Sequence, residues 1–308
     1  IQVGKILASD AAQDDYFGRY IAIHEDYAIV GAYFNDDAGS NSGSAYIFVK
    51  SGTTWTQQAK LVASDATELD NFGKGVGIHG DYAIVAAYLN DDAGNNSGSA
   101  YIFVRSGTTW TQQAKLLASD AANEDYFGEE AVGIYGDYAV IGSHENYPGC
   151  AYIFVRSGTT WTQQAKLLAS DAAGGDEFGF KVRIHEDSVI VSAIKNDDGG
   201  SDSGSAYIFV RSGTTWTQQA KLLASDAASG DYFGRSIGIH GDDAIVGAYL
   251  NDDAGSDSGS AYIFVRSGTT WSQQAELLAS DAAGSDYFGV SVGIANNTAV
   301  VGAHQNDD

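Results

Sequence analysis

The sequence predicts an all-β protein, a β-propeller of four-stranded antiparallel blades. Three observations predict it. The phrase GSAYIFVKSGTTWTQQAKL at Gly43–Leu61 returns at Gly98–Leu116, Gly204–Leu222 and Gly259–Leu277, with a fifth copy opening at Gly149-Cys150. A second phrase, of the kind DYFGRYIAIHEDYAIVGAY (Asp15–Tyr33), lies between the copies. Glycine is frequent (38 residues), aromatics make up 12%, and the apolar residues alternate or run in short blocks without a helical period.

The Phe-Gly pair measures the repeat. It falls at Phe17, Phe72, Phe127, Phe178, Phe233 and Phe288, in steps of 55, 55, 51, 55 and 55 residues. The short step reflects residues lost where SHENYP (143–148) replaces the longer NDDAGSNS loop. In the first unit, strand a is expected over Arg19–His24 and strand b over Tyr27–Phe34. Strand c is expected over Ser44–Lys50 and strand d over Thr54–Ala63. Strands b and c carry unbroken apolar runs (AIVGA, AYIFV), and a strand apolar on both faces must be covered on both. Four such strands about every 55 residues describe a propeller blade better than a solenoid coil, which is shorter and mostly parallel. No linker or composition shift interrupts the series, so residues 1–308 read as one domain of six repeats.

The N-terminal IQVGKILASD (Ile1–Asp10) matches strand d and its exit, QQAKLLASD. It is expected to supply the outer strand of a last blade whose inner strands are Val290–His304, the usual way of sealing a propeller ring. That blade lacks a strand c. The count is therefore six blades, or seven if the natural chain runs on. With no methionine, residue 1 is not a translation start, which points to a removed leader or a piece of a longer chain.

The unit FG-x-x-(V/I)-x-I, then (I/V)-V-G-A-Y, then SGSAYIF, resembles the FG-GAP repeat. It resembles the bacterial and algal subtype carrying SGTTWTQQAKL and, more distantly, the integrin α-subunit head. The resemblance covers essentially the whole chain and implies the propeller fold. Two departures stand out. The Pro ending the family's GAP phrase is Tyr33, Tyr88 and Tyr249 here, with His144, Ile194 and His304 in the other units. The integrin-type calcium loop between strands a and b is replaced by two-residue turns such as Glu25-Asp26 and Gly80-Asp81, so the family's calcium sites do not carry over.

A formal net charge of −24 argues against nucleic acid, whose phosphates need a basic patch. No apolar run approaches the roughly 20 residues of a membrane-spanning helix, so direct membrane insertion is not expected. The single cysteine, Cys150, stands where other copies have Ser and reads as a packed small residue.

Strand alternation sends the d-to-a and b-to-c loops to one end of each blade. That end is crowded with Asp, Asn, Ser and Tyr. In the b-to-c loop, alternate oxygen ligands are the pattern a hard cation such as Ca²⁺ takes. The candidates are Asn35, Asp37 and Asn41; Asn90, Asp92 and Asn96; Asn196, Asp198 and Asp202; and Asn251, Asp253 and Asp257. The competing reading is an Asx-rich turn that only connects strands. The same end gathers Tyr16, Tyr126, Tyr232 and Tyr287, and Tyr33, Tyr88 and Tyr249. Tyrosine rings beside carboxylates suit a sugar, although tyrosine in strands is also ordinary packing. At the other end His24, His79, His185 and His240 close strand a, one blade apart and too far apart to share one metal ion. Trp55 and its equivalents open strand d as edge closure. The third unit breaks the pattern with Glu129, Glu130, His144, Glu145 and Cys150, but not at a catalytic spacing.

These features are expected of a non-catalytic, secreted or cell-surface recognition or adhesion module. Its acidic end would meet a glycan or a surface or matrix protein, with Ca²⁺ as a possible bridge. The alternative is a structural tile or spacer that self-assembles through its incomplete last blade.

Overall fold

The structure, a computed structural model, describes residues 5–296 and 298–306. Among these there are 22 strands and no helix, hence none long and apolar enough to cross a membrane. The first sheet is β1 (Ile21–His24), β2 (Tyr27–Ala32), β3 (Ser44–Ser51) and β4 (Thr54–Leu61). The second is β5 (Phe72–His79), β6 (Tyr82–Ala87), β7 (Ser99–Ser106) and β8 (Thr109–Leu116). The third is β9 (Val132–Tyr135), β10 (Tyr138–Ser143), β11 (Cys150–Ser157) and β12 (Thr160–Leu167). The fourth is β13 (Phe178–His185), β14 (Ser188–Ala193), β15 (Ser205–Ser212) and β16 (Thr215–Leu222). The fifth is β17 (Ser236–His240), β18 (Asp243–Ala248), β19 (Ser260–Ser267) and β20 (Thr270–Leu277). A last pair, β21 (Ser291–Ala295) and β22 (Thr298–Gly302), forms a two-stranded sheet. Each sheet runs in chain order, the arrangement of propeller blades.

The local chemistry explains the elements. The a-to-b turns put Glu25 (φ 52) or Gly80 (φ 58) in the left-handed region, so two residues reverse the chain. Strands c and d share a bulge: Ile47 pairs with Ala59 but Phe48 with Gln57, leaving Gln58 as the extra residue. The same shift recurs in β7–β8, β15–β16 and β19–β20.

Contacts divide the chain into two compact units, residues 1–146 with 152–164, and residues 147–151 with 165–308. In the first unit, one face of blade 1 (Ile29, Ala45, Ile47, Leu61) packs on the opposite face of blade 2 (Phe72, Ile78, Val85, Tyr101, Phe103, Trp110). In the second, Ile190, Ala206, Ile208 and Leu222 of blade 4 meet Phe233, Ile239, Val246, Tyr262 and Phe264 of blade 5 in the same way. Apolar residues on both faces of strands b and c are thus used, one set toward each neighbour.

The Phe-Gly pair is the seam between blades. Gly43 pairs with Phe72 in a parallel bridge, at φ 85. A Cβ there would lie 2.1 Å from the Phe72 carbonyl oxygen, so only glycine fits. Gly73 is similar: at φ 104, its Cβ would lie 2.4 Å from the Ser44 carbonyl oxygen.

Ile1–Gly4, part of the expected sealing strand, lie outside the described residues, and residues 5–8 form no strand. Ser9 and Asp10 nevertheless sit where a strand d exit belongs. The Ser9 N–H donates to Gln57 Oε1 at 2.9 Å, and Lys60 pairs with Asp10 at 2.6 Å. One blade on, the Ser64 N–H donates to Gln112 at 2.9 Å and Lys115 pairs with Asp65 at 2.7 Å.

Candidate binding face

The b-to-c loop is held from within. Asn35 is buried; its Oδ1 accepts from Ser44 Oγ (2.8 Å), the Asp37 N–H (3.3 Å) and Lys60 Nζ (3.3 Å), and its Nδ2 donates to Asp15 (3.4 Å). Asn90 and Asn196 repeat the pattern with Ser99 (2.7 Å) and Ser205 (2.6 Å). Asn251 accepts from Ser260 (2.7 Å) and donates to Tyr262 Oη (3.3 Å). The seventh loop position, Asn41, Asn96, Asp202 or Asp257, is a left-handed residue with φ between 52 and 55. Its N–H is taken by the side chain of Asp36, Asp91, Asp197 or Asp252. The first and seventh candidate positions therefore serve the turn itself.

The loop also binds the chain entering the next blade. The Leu69, Asn71 and Phe72 N–H groups donate to the carbonyls of Ser40 (2.8 Å), Asn41 (3.0 Å) and Ser42 (2.9 Å). Blades 4 and 5 repeat this, with Gly230, Tyr232 and Phe233 donating to Ser201, Asp202 and Ser203. Near-identical loop sequences follow from this shared seam.

The middle candidate position has a cation already. Lys60, on strand d, places its ammonium against Asp37, Asp10 and the face of Tyr46 (5.3 Å). Lys115 does the same with Asp92, Asp65 and Tyr101, and Lys221 with Asp198, Asp171 and Tyr207. Burial would depress the Lys60 ammonium, but its hydrogen bonds to Asp10 and Asp37 raise its pKa well above the usual lysine value. Burial pushes the Asp10 carboxyl up, and the hydrogen bond and charge of Lys60 help to offset it, holding it below its ordinary value. The Tyr46 hydroxyl is pushed up to about 12, mainly by burial.

Blade 5 departs from this. Glu276 stands where the other blades have lysine, beside Asp226 and Asp253, and oxygen atoms of the three carboxylates lie within 4.8 Å of one another. Burial and the Asp226 charge raise the Glu276 pKa to about 7. Asp253 is raised too, by burial and then by Asp226. Asp226 Oδ1 is buried without a hydrogen-bond partner.

The tyrosines form short aromatic runs beside these loops. In the first unit Tyr16 contacts Tyr33 (ring centroids 5.6 Å) and Tyr88 contacts Tyr126 (6.0 Å). In the second, Tyr249 lies between Tyr232 (6.1 Å) and Tyr287 (5.8 Å). Tyr33 is buried, whereas Tyr16 is exposed and Tyr88, Tyr126, Tyr232, Tyr249 and Tyr287 are half-buried.

A polar group in the first unit adds residues that sequence reasoning left apart. Lys74 pairs with Glu129 at 2.6 Å and lies 4.0 Å from the Tyr88 ring centroid. His144 Nε2 is 3.8 Å from Glu129 and 3.7 Å from Glu145, and Tyr20 donates to Glu130. The signal available in the sequence was that Glu129-Glu130 occurs only in the third repeat. Their partners Lys74 and Tyr20 lie in other repeats and carry no motif.

The FG-GAP repeat family model matches six segments, residues 1–48, 55–103, 110–154, 161–209, 216–264 and 271–308, which together span most of the chain. The chain belongs to the FG-GAP repeat family. FG-GAP propellers are generally non-enzymatic repeat modules. No curated protein matches the chain.

In this FG-GAP chain the opposite blade end is a set of clasps. His24 Nδ1 accepts from the Gly80 N–H (3.2 Å), His79 from Gly136 (3.2 Å), His185 from Gly241 (3.1 Å) and His240 from Asn296 (3.3 Å). The rings of His24 and His79, and of His185 and His240, lie 4.3 Å apart, so the expectation that neighbouring blades hold them far apart is corrected; each Nδ1 is instead taken up by a backbone N–H. Burial, then the His240 charge, holds the His185 imidazole below its usual pKa. Trp110 Nε1 donates to Gln58 (2.9 Å), the bulge residue of the preceding blade, and Trp271 to Gln219 (2.9 Å). Arg105 joins Asp81 and Tyr27 Oη (2.8 Å). Histidine, tryptophan and arginine here tie blade to blade.

Proposed function

We propose that the protein is a non-catalytic, extracellular recognition module whose acidic loop end meets a glycan or a cell-surface protein. The observation that carries this reading is the repeated loop. A buried Asn–Ser pair and a left-handed turn hold each copy rigid, so its exposed carboxylates and the tyrosines beside it recur in the same arrangement. Several weak, pre-organised copies gain affinity by binding together. Exposed tyrosine offers an apolar ring for a sugar face, and neighbouring carboxylates accept hydroxyl hydrogen bonds.

The cation part of the reading falls on blade 5. Elsewhere a lysine ammonium already neutralises the loop aspartate. Asp226, Asp253 and Glu276 together offer the hard oxygen donors that Ca²⁺ takes.

Binding to glycan and matrix-protein arrays tests the recognition reading. We expect binding that weakens at least tenfold when Tyr16 and Tyr287 are both changed to Ala. Blank arrays remove it. Thermal melts in millimolar CaCl₂ and in EDTA test the cation part separately. The expected result is a higher midpoint with calcium that Glu276→Lys abolishes, and an unchanged midpoint removes calcium.

A further inference from the structure

We infer that the second unit holds a seat for a carboxylate, made by Arg235 against the rings of Phe180 and Tyr249, and that its ligand is an acidic sugar. The sugar rests on the recognition reading given above. The carboxylate rests on a comparison of the two units.

In the first unit the seat is filled by the chain itself. Lys74 follows the Phe-Gly pair of blade 2 and lies 4.0 Å from the ring centroid of Tyr88, the residue after β6. Glu129, which follows the Phe-Gly pair of the next blade, answers its ammonium at 2.6 Å. In the second unit Arg235 takes the place of Lys74. It follows the Phe-Gly pair of blade 5, and its guanidinium lies 5.9 Å from the ring centroid of Tyr249, the residue after β18. Val290 stands where Glu129 would be. The backbone there is the same: the Glu129 N–H donates to the Tyr126 carbonyl (3.0 Å) and the Val290 N–H to the Tyr287 carbonyl (3.1 Å). The cation is present and the carboxylate that would answer it is not.

Arg235 is half-buried and makes no ion pair among the described residues. Its guanidinium lies against two rings instead, 5.4 Å from the centroid of Phe180 and 5.9 Å from that of Tyr249. By contrast Arg105, Arg156, Arg211 and Arg266 each pair with an aspartate. Arg183 is a further exception. It faces Ile190 in the ladder, where Gly77 and Gly238 face Ile84 and Ile245, and its guanidinium donates to the Val182 carbonyl at 2.8 Å. Its strand, β13, packs on β17. In a chain of 16 bases against 40 acids, two guanidiniums without a carboxylate on neighbouring inner strands make a local seat of positive potential.

A guanidinium presents a planar fork of donors that a carboxylate meets with two parallel hydrogen bonds. Glu129 shows that this position of a blade takes a carboxylate. The neighbouring tyrosines point to a sugar as its carrier. Tyr232, Tyr249 and Tyr287 run side by side, Tyr249 belonging to the seat itself, and such rings offer apolar faces to a pyranose. A uronate combines the two features.

Binding to immobilised oligomers of glucuronate, galacturonate and mannuronate, beside their neutral methyl esters, tests the inference. Wild type is expected to bind at least one acid oligomer roughly tenfold more tightly than its ester, and less tightly as NaCl rises. Arg235→Gln should lose that preference. Val290→Glu supplies the carboxylate that blade 3 has, so it should lose acid binding while melting no lower than wild type. Val290→Gln, neutral and of similar size, should keep it. Should Val290→Glu melt lower, Arg235→Gln decides alone. Equal binding of acid and ester, or acid binding that survives Arg235→Gln or a stably folded Val290→Glu, overturns the inference. Binding confined to neutral glycans or to a matrix protein also overturns it and leaves the recognition reading standing, whereas arrays blank throughout remove both. Capture of an acidic peptide with no acid oligomer bound overturns the sugar.

Discussion

Blades 2 and 5 differ little in sequence, yet the ends of their d strands are electrostatic opposites. In blade 2, Lys115 binds Asp65 and Asp92 under the Tyr101 ring. In blade 5, Glu276 meets Asp226 and Asp253 beside Tyr262. The two carboxylates were already in place in both. A single lysine-to-glutamate difference turns a neutralised clasp into three acids in contact. The lesson is that these loops are built around a positive charge, which three blades are seen to supply from their own d strand.

The comparison can be broken most strongly in blade 2. Lys115→Glu should cost about 1–2 kcal/mol, because it removes two ion pairs to solvent-screened carboxylates and sets a third acid beside them. The check is chemical denaturation at pH 7.5, and a change below about 0.5 kcal/mol would mean that the clasp is decorative. The reverse substitution sharpens the comparison. Glu276→Lys should stabilise blade 5 by about 1 kcal/mol at most, because these groups are partly exposed and two well-made ion pairs would have to form anew. It should also remove any response to calcium.

The next effect is a slope with pH. Glu276 titrates at about 7 when folded against 4.5 ordinarily. The folded state therefore holds a proton that the unfolded state has lost, and stability falls as pH rises from about 4.5 to 7. Glu276→Gln should flatten that part of the curve, read as the midpoint against pH. The smallest effect comes from the histidine clasps. His185 is held below its ordinary value of 6.5, so its contribution is present above that pH and lost as pH falls. In the Glu276→Gln background, His185→Asn should reduce the acid loss between pH 7 and 5 by a few tenths of a kcal/mol.

Much of the fold was legible in the residues. Strand b was expected to end at Phe34 and ends at Ala32, and strand d was expected to reach Ala63 and ends at Leu61. Those two-residue overruns have one cause. Tyr33 and Ala63 continue the apolar pattern because they are buried, but their backbones have already left the ladder. The loop pattern of Asn, Asp and Gly was legible as well. Its use was not, because Asn35 is satisfied by Ser44 and Asp37 by Lys60, partners that a ligand-spacing pattern does not include.

By itself the sequence determined the strands, the turns and the repeated seam, since alternation, glycine geometry and a fixed period act over a few residues at a time. The tertiary structure alone decided which charges are answered. Asp92 meets a lysine 23 residues on, and that lysine meets an aspartate 50 residues back across the blade boundary. Charge compensation depends on distance in space, and that distance exists only once the blades have stacked.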